Sequence, residues 1–193
     1  MAPRLSQLSF SGEGAPLVIA EAAVHVQWPG YVSHGDNSEF DRISRDLEDF
    51  ARVLPLRTKG KDHAVFVDTD GGGPGFVRVL TGNTGVVVAV CTSHDGDTPA
   101  LDHIEAFTDA WVPKTDPLGS LSVAGPLVVA NSAFSAAKCA ELARPSGEIG
   151  SVESHVPSGG RFDVEPGTYD VFAFTGEVLE DNEYGMVFLR RRG

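Results

Sequence analysis

The chain has 193 residues, with 27 acidic side chains against 15 basic ones, a formal net charge of −12. Hydrophobic residues make up 41% and charged residues 22%, the balance of a globular domain that can bury a core without disulfides or metal. The acidity excludes a generic nucleic-acid binder, because neutralising phosphates needs a basic surface. No apolar run approaches the ~20 residues of a membrane-spanning helix.

Met1-Ala2-Pro3-Arg4 opens the chain without an apolar core or a small-residue cleavage site, so no secretory signal is expected. The first apolar runs, Pro16–Ala20 and Val24–Trp28, read as strands, with His25 alternating between Val24 and Val26 as a satisfied or exposed strand residue. Ser38-Glu39-Phe40-Asp41 then offers a capping hydroxyl with an acid three residues on. Phe40, Ile43, Leu47 and Phe50 follow as one apolar stripe, with Asp41–Arg45 and Arg42–Asp46 as i,i+4 pairs on the water-facing side. Strands are expected at Ala64–Val67, Phe76–Leu80 and Val86–Cys91, the last apolar enough to be covered on both faces.

Thr98-Pro99 caps a second helix, with Leu101, Ile104, Phe107 and Trp111 as its buried stripe. Pro126–Ala130 is another strand, and residues 135–143 suggest a short third helix. Arg161–Val164 and Tyr169–Phe174 flank Glu165-Pro166-Gly167-Thr168, a turn with Pro and Gly placed to reverse the chain, so they read as a hairpin. Tyr184–Leu189 is the last strand. The expected architecture is a single α+β domain over residues 1–193, mostly antiparallel β hairpins with two or three helices.

One internal echo stands out. Gly14-Ala15-Pro16-Leu17-Val18-Ile19-Ala20-Glu21-Ala22-Ala23 resembles Ala124-Gly125-Pro126-Leu127-Val128-Val129-Ala130-Asn131-Ser132-Ala133; each follows a Leu-Ser pair, Leu8-Ser9 and Leu121-Ser122, and both read as a strand, a turn with Gly and an apolar strand. One reading is that β-hairpins look alike. The other is two related β-units, around residues 5–28 and 119–142, packed in one domain. A period of about 110 residues is too long for a solenoid.

The residues that could carry chemistry are few. Asp68 and Asp70 follow a strand that opens with His63, and His94-Asp95-Gly96-Asp97 follows another. Together His63, Asp68, Asp70, His94 and Asp97 supply the ligand types of a metal-dependent hydrolase, although no recognised metal motif is matched and polar turns explain the same residues. No Gly-x-Ser-x-Gly elbow or phosphate-loop ending is present. Cys91 and Cys139 lack metal or redox spacing and read as buried thiols of a reducing cytoplasm. No catalytic residue, metal ligand or cofactor is therefore assigned.

Acid distribution says more. From Asp163 to Glu183 the chain carries Asp163, Glu165, Asp170, Glu177, Glu180, Asp181 and Glu183 with no Lys or Arg, and from Asp95 to Asp116 it carries Asp95, Asp97, Asp102, Glu105, Asp109 and Asp116 against Lys114 alone. Such stretches make either a solvated face that keeps the protein soluble or a field that draws in a basic partner.

The layout resembles bacterial polymorphic-toxin immunity proteins, especially the family catalogued as type twenty-one. The segments that carry the likeness are Gly14–Ile19, Trp28-Pro29-Gly30, Asp36 with Phe40-Asp41-Arg42, Ser122–Asn131, Phe162–Val171 and Val187–Arg190. Asn131 departs from it, standing where such proteins often carry Asp. The resemblance implies a cytoplasmic, non-enzymatic α+β domain that neutralises a cognate basic toxin by occlusion. It would do so without nucleic acid or membrane. Asp95, Asp97, Asp102, Glu105, Asp109, Asp163, Glu165, Glu177, Glu180, Asp181 and Glu183 are then the candidate partner-binding residues. The alternatives are the metal-dependent hydrolase and a non-catalytic structural subunit. Oligomeric state is not encoded in any motif.

Overall fold

The computed structural model describes residues 4–6, 16–28, 39–47, 51–55, 63–68, 75–82, 85–93, 115–132, 159–175 and 182–193. In chain order they form β1 (Arg4–Ser6), β2 (Leu17–Glu21), α1 (Ala22–His25), α2 (Glu39–Asp46), β3 (Ala51–Pro55), β4 (His63–Val67), β5 (Gly75–Gly82), β6 (Gly85–Ser93), β7 (Gly119–Val123), β8 (Leu127–Asn131), β9 (Gly159–Phe162), β10 (Gly167–Thr175) and β11 (Asn182–Arg191). The strands make two antiparallel sheets. One has six strands in the order β1-β5-β6-β11-β10-β7, the other five in the order β3-β4-β2-β8-β9.

The apolar runs explain the layering. Leu17–Ala20, Ala64–Val67 and Leu127–Ala130 are buried at every residue, so the strands that carry them must be covered on both faces. The pleat sends alternate side chains to opposite sides. Leu17, Ile19, Val65, Val67, Leu127 and Val129 meet Val86, Leu121, Val171, Val187 and Leu189 of the larger sheet in a shared sandwich core. Val18, Ala20, Ala64 and Phe66, on the other face, pack with Trp28 and Ile43. The five-stranded sheet is thus the middle layer between the larger sheet and the helices, in one mostly β, broadly α+β domain. Among the described residues no helix is long and apolar enough to cross a membrane.

Three expectations change in space. Val24–Trp28 is not a strand: Ala22–His25 forms α1, closed by Gln27 N–H to Val24 O at 2.9 Å and Trp28 N–H to His25 O at 3.0 Å. Ala22, His25 and Trp28 are all buried, and their spacing of three suits a tight helical turn better than a strand. Alternation in Val24-His25-Val26 concealed that.

The hairpin expected around residues 165–168 is not one either. β9 belongs to the smaller sheet beside β8, while β10 belongs to the larger sheet between β7 and β11. Residues 163–166 are a corner that carries the chain from one sheet to the other. Phe162 and Tyr169, on either side of it, are both buried in the shared core and Val164 packs against that core. Tyr169 Oη donates to Glu165 O at 2.5 Å, tying the corner as a tyrosine corner does in other sandwiches.

The third change concerns α2, which matches the expected stripe over its described residues: Ile43 is buried, and Phe40 and Leu47 are partly buried on the same cluster, while Phe50 lies outside the described residues. Its Arg42–Asp46 pair forms, with Nη1 donating to Oδ2 at 2.9 Å. Yet Arg42 is only 8% exposed. Its Nη2 donates to Pro55 O at 2.8 Å, so the guanidinium faces β3 instead of water and satisfies a carbonyl at the strand's end. The helices expected at 98–111 and 135–143 lie outside the described residues.

Candidate functional site

The acidic residues are the natural starting point. Asp163 and Glu165 are exposed on the β9–β10 corner. Burial of Phe162 and Tyr169 and the Tyr169–Glu165 hydrogen bond fix the backbone that presents them. Asp170, from the same acidic run, differs. Arg192 Nε and Nη2 donate to its Oδ1 at 2.8 and 2.5 Å, and this contact holds the carboxyl below its ordinary pKa.

The register explains the pairing: Asp170 lies opposite Arg190 across β10 and β11, and Arg192 N–H bonds Thr168 O at 2.8 Å. A stretch without bases in sequence therefore meets the arginine-rich end of β11 in space. Glu183 falls in β11, opposite Thr92. Asp95, Asp97, Asp102, Glu105, Asp109, Glu177, Glu180 and Asp181 lie outside the described residues.

The candidate metal ligands do not all converge. His63 is the exposed first residue of β4, and Asp68 follows its last. At about 3.3 Å per residue the two stand roughly 16 Å apart, whereas a hard cation needs its oxygen ligands within about 2.6 Å. One ion cannot be shared between them. Asp70, His94 and Asp97 lie outside the described residues, and among the described residues no group of three His, Cys, Asp or Glu is placed to hold a metal.

His63 instead lines a pocket of about 420 Å³, together with Val24, Val53, Leu118, Gly119, Ser120 and Ser122. It opens where β7, the edge of the larger sheet, comes up against β3, the edge of the smaller one. Gly119 permits that approach, since a Cβ there would stand 3.0 Å from Val53 Cβ. Leu118 N–H bonds Val171 O at 2.8 Å, yet the residue is 46% exposed. The result is a lining more polar than apolar, with an imidazole and two hydroxyls beside Val24, Val53 and Leu118, able to receive one polar side chain or a small hydrogen-bonding ligand. No motif marked Leu118, Ser120 or Ser122 as pocket residues, because the pocket draws on α1, β3, β4 and β7, spread over residues 24 to 122.

A second unusual group is His25. Its ring is fully buried, and neither ring nitrogen has a hydrogen-bond partner among the described residues. Burial pushes its pKa down to about 4, so the imidazole is neutral at pH 7. Nearby in the chain, Trp28 Nε1 donates to Ser132 O at 2.7 Å, and its indole packs on Phe66 with ring centres 5.3 Å apart. Ser132 Oγ is likewise buried and unpartnered among the described residues.

No protein-family model, curated protein or solved structure matches this chain.

Proposed function

We propose that this chain is an immunity-type binding protein that holds a cognate basic protein and blocks it by occlusion. The observation that carries the reading is the net charge of −12, part of it displayed by Asp163 and Glu165 on an exposed and rigidly tied corner. A field of that sign speeds encounter with a basic partner and sets orientation. Carboxylates can then occupy the basic groups with which a nuclease holds phosphate. The sequence resemblance to toxin-immunity proteins supports the same reading. Asp170 is assigned a smaller part, because Arg192 already engages it.

The test is association with the protein encoded beside this one, followed by stopped-flow mixing at increasing salt. The expected result is a complex whose association rate falls at least about tenfold between 0.05 and 0.5 M salt, as charge steering is screened. Replacing Asp163 and Glu165 together by Lys should slow association several-fold further. A neighbour that does not bind, or a rate indifferent to both salt and the double replacement, would refute the proposal.

A further inference from the structure

Both sheets read as palindromes. In the larger sheet β1-β5-β6 is answered by β7-β10-β11 across the β6–β11 boundary, and in the smaller one β4-β2 is answered by β9-β8 across the β2–β8 boundary, with β3 left over. Residues 4–93 and 119–191 therefore follow one path. Each contributes a strand to the larger sheet, a strand to the smaller one, an insertion, a return strand in the smaller sheet, and two adjacent strands in the larger.

The registers repeat as well. Leu17, Val18 and Ile19 lie opposite Val67, Phe66 and Val65, just as Leu127, Val128 and Val129 lie opposite Phe162, Arg161 and Gly160. Where the halves meet, pairing is reciprocal about Ile19 and Val129: Leu17 with Asn131 is answered by Leu127 with Glu21, and Val18 with Ala130 by Val128 with Ala20. Hydrogen bonds beyond the strand ends obey the same exchange, Ala22 N–H to Pro126 O and Ser132 N–H to Pro16 O, each 2.8 Å. The like sequences Pro16-Leu17-Val18-Ile19-Ala20 and Pro126-Leu127-Val128-Val129-Ala130 occupy these matching places. Accidental likeness between two strands gives no reason for them to pair with each other, in mirrored register, on a common dyad.

We propose that the chain is a tandem fusion of two copies of one β-unit, joined through an isologous interface of β2 against β8 and β6 against β11, so that the partner each unit fits is a second copy of itself. The interface is of the kind that closes symmetric homodimers, in which one surface patch serves both sides. A single unit would leave the edges of β2 and β6 open, and pairing with its copy closes both. Among the described strands the units differ at β3, which has no counterpart beside β9 and supplies Val53 to the pocket.

The dyad makes a demand that an unsymmetric sandwich does not. It exchanges the end of β6 with the end of β11 and β7 with β1, so the route from Arg191 back to Arg4 must be as easily spanned as the route that residues 94–118 already cover. A circular permutant uses the whole chain to test this: Gly193 is joined to Met1 by a flexible linker as long as residues 94–118, and the chain is opened between residues 105 and 106. A second variant exchanges residues 16–22 with residues 126–132 in the otherwise native chain. Both are expected to be monomeric, with one cooperative thermal transition within about 5 °C of the parent, because every strand of the permutant meets the same neighbours as before, and in the exchange each segment takes the equivalent place across the dyad. Loss of the cooperative transition in either variant overturns the proposal.

Discussion

Acid should destabilise this protein through His25, and removing the imidazole should remove that part of the sensitivity. In the unfolded chain the ring takes up a proton near its ordinary pKa of 6.5, while in the fold burial lowers this to about 4. Well above pH 6.5 neither state carries the proton, and His25 adds no pH dependence. Between 6.5 and 4 the unfolded chain binds it and the folded chain does not, so stability falls as pH falls. Below 4 both states are protonated and the loss levels off. The drop in pKa corresponds to roughly 3 kcal/mol, a large share of the ~5–15 kcal/mol by which domains are stable.

The comparison protein is His25→Leu, similar in size and unable to titrate. Urea unfolding followed by tryptophan fluorescence, to which the buried Trp28 contributes, gives the stability of both at pH 8, 6, 5 and 4. At pH 8 the variant should be the more stable by about 1–3 kcal/mol, since it buries no unpartnered ring nitrogen. The gap should widen by roughly 3 kcal/mol by pH 4, carboxylate titration being common to both proteins. A gap that stays constant from pH 8 to pH 4 would show that the imidazole is hydrated or paired in the fold, and the reasoning fails.

Tyr169→Phe removes the hydroxyl that ties the β9–β10 corner to Glu165 O, and should lower stability by about 1 kcal/mol, read as a fall of about 2–4 °C in melting temperature. An unchanged melting temperature would mean the tie adds nothing to the corner. Gly85→Ala places a methyl group against the Leu189 carbonyl of the paired strand β11; the backbone must shift there, at a cost of about 1–3 kcal/mol. Denaturant midpoints of the two proteins measure it, and a neutral result would contradict the close approach of β6 and β11.

Much of the strand inventory was legible because it depends on local pattern. Val86–Cys91, Pro126–Ala130 and Tyr184–Leu189 lie within or across β6, β8 and β11, and the Phe40–Ile43–Leu47 stripe belongs to α2 and its end. β3 was not expected, its short apolar run being interrupted by Arg52. The candidate site was less legible. Asp163 and Glu165 are exposed, but the engagement of Asp170 by Arg192 is a product of strand register, and so is the pocket between β3 and β7 a product of packing. His25 looked like an alternating strand residue because three residues cannot distinguish a strand from a single helical turn.

The sequence alone determined the apolar runs, the sign and amount of charge, and the echo between residues 14–23 and 124–133, since these follow from composition and local spacing. Tertiary structure decided which strands share a sheet. It turned the apparent hairpin at residues 163–168 into a passage between sheets, because burying Phe162 and Tyr169 in one core outweighs the local preference of Pro166-Gly167 for reversal. It also set the two echoed segments side by side, through pairing over a separation that no local rule can read.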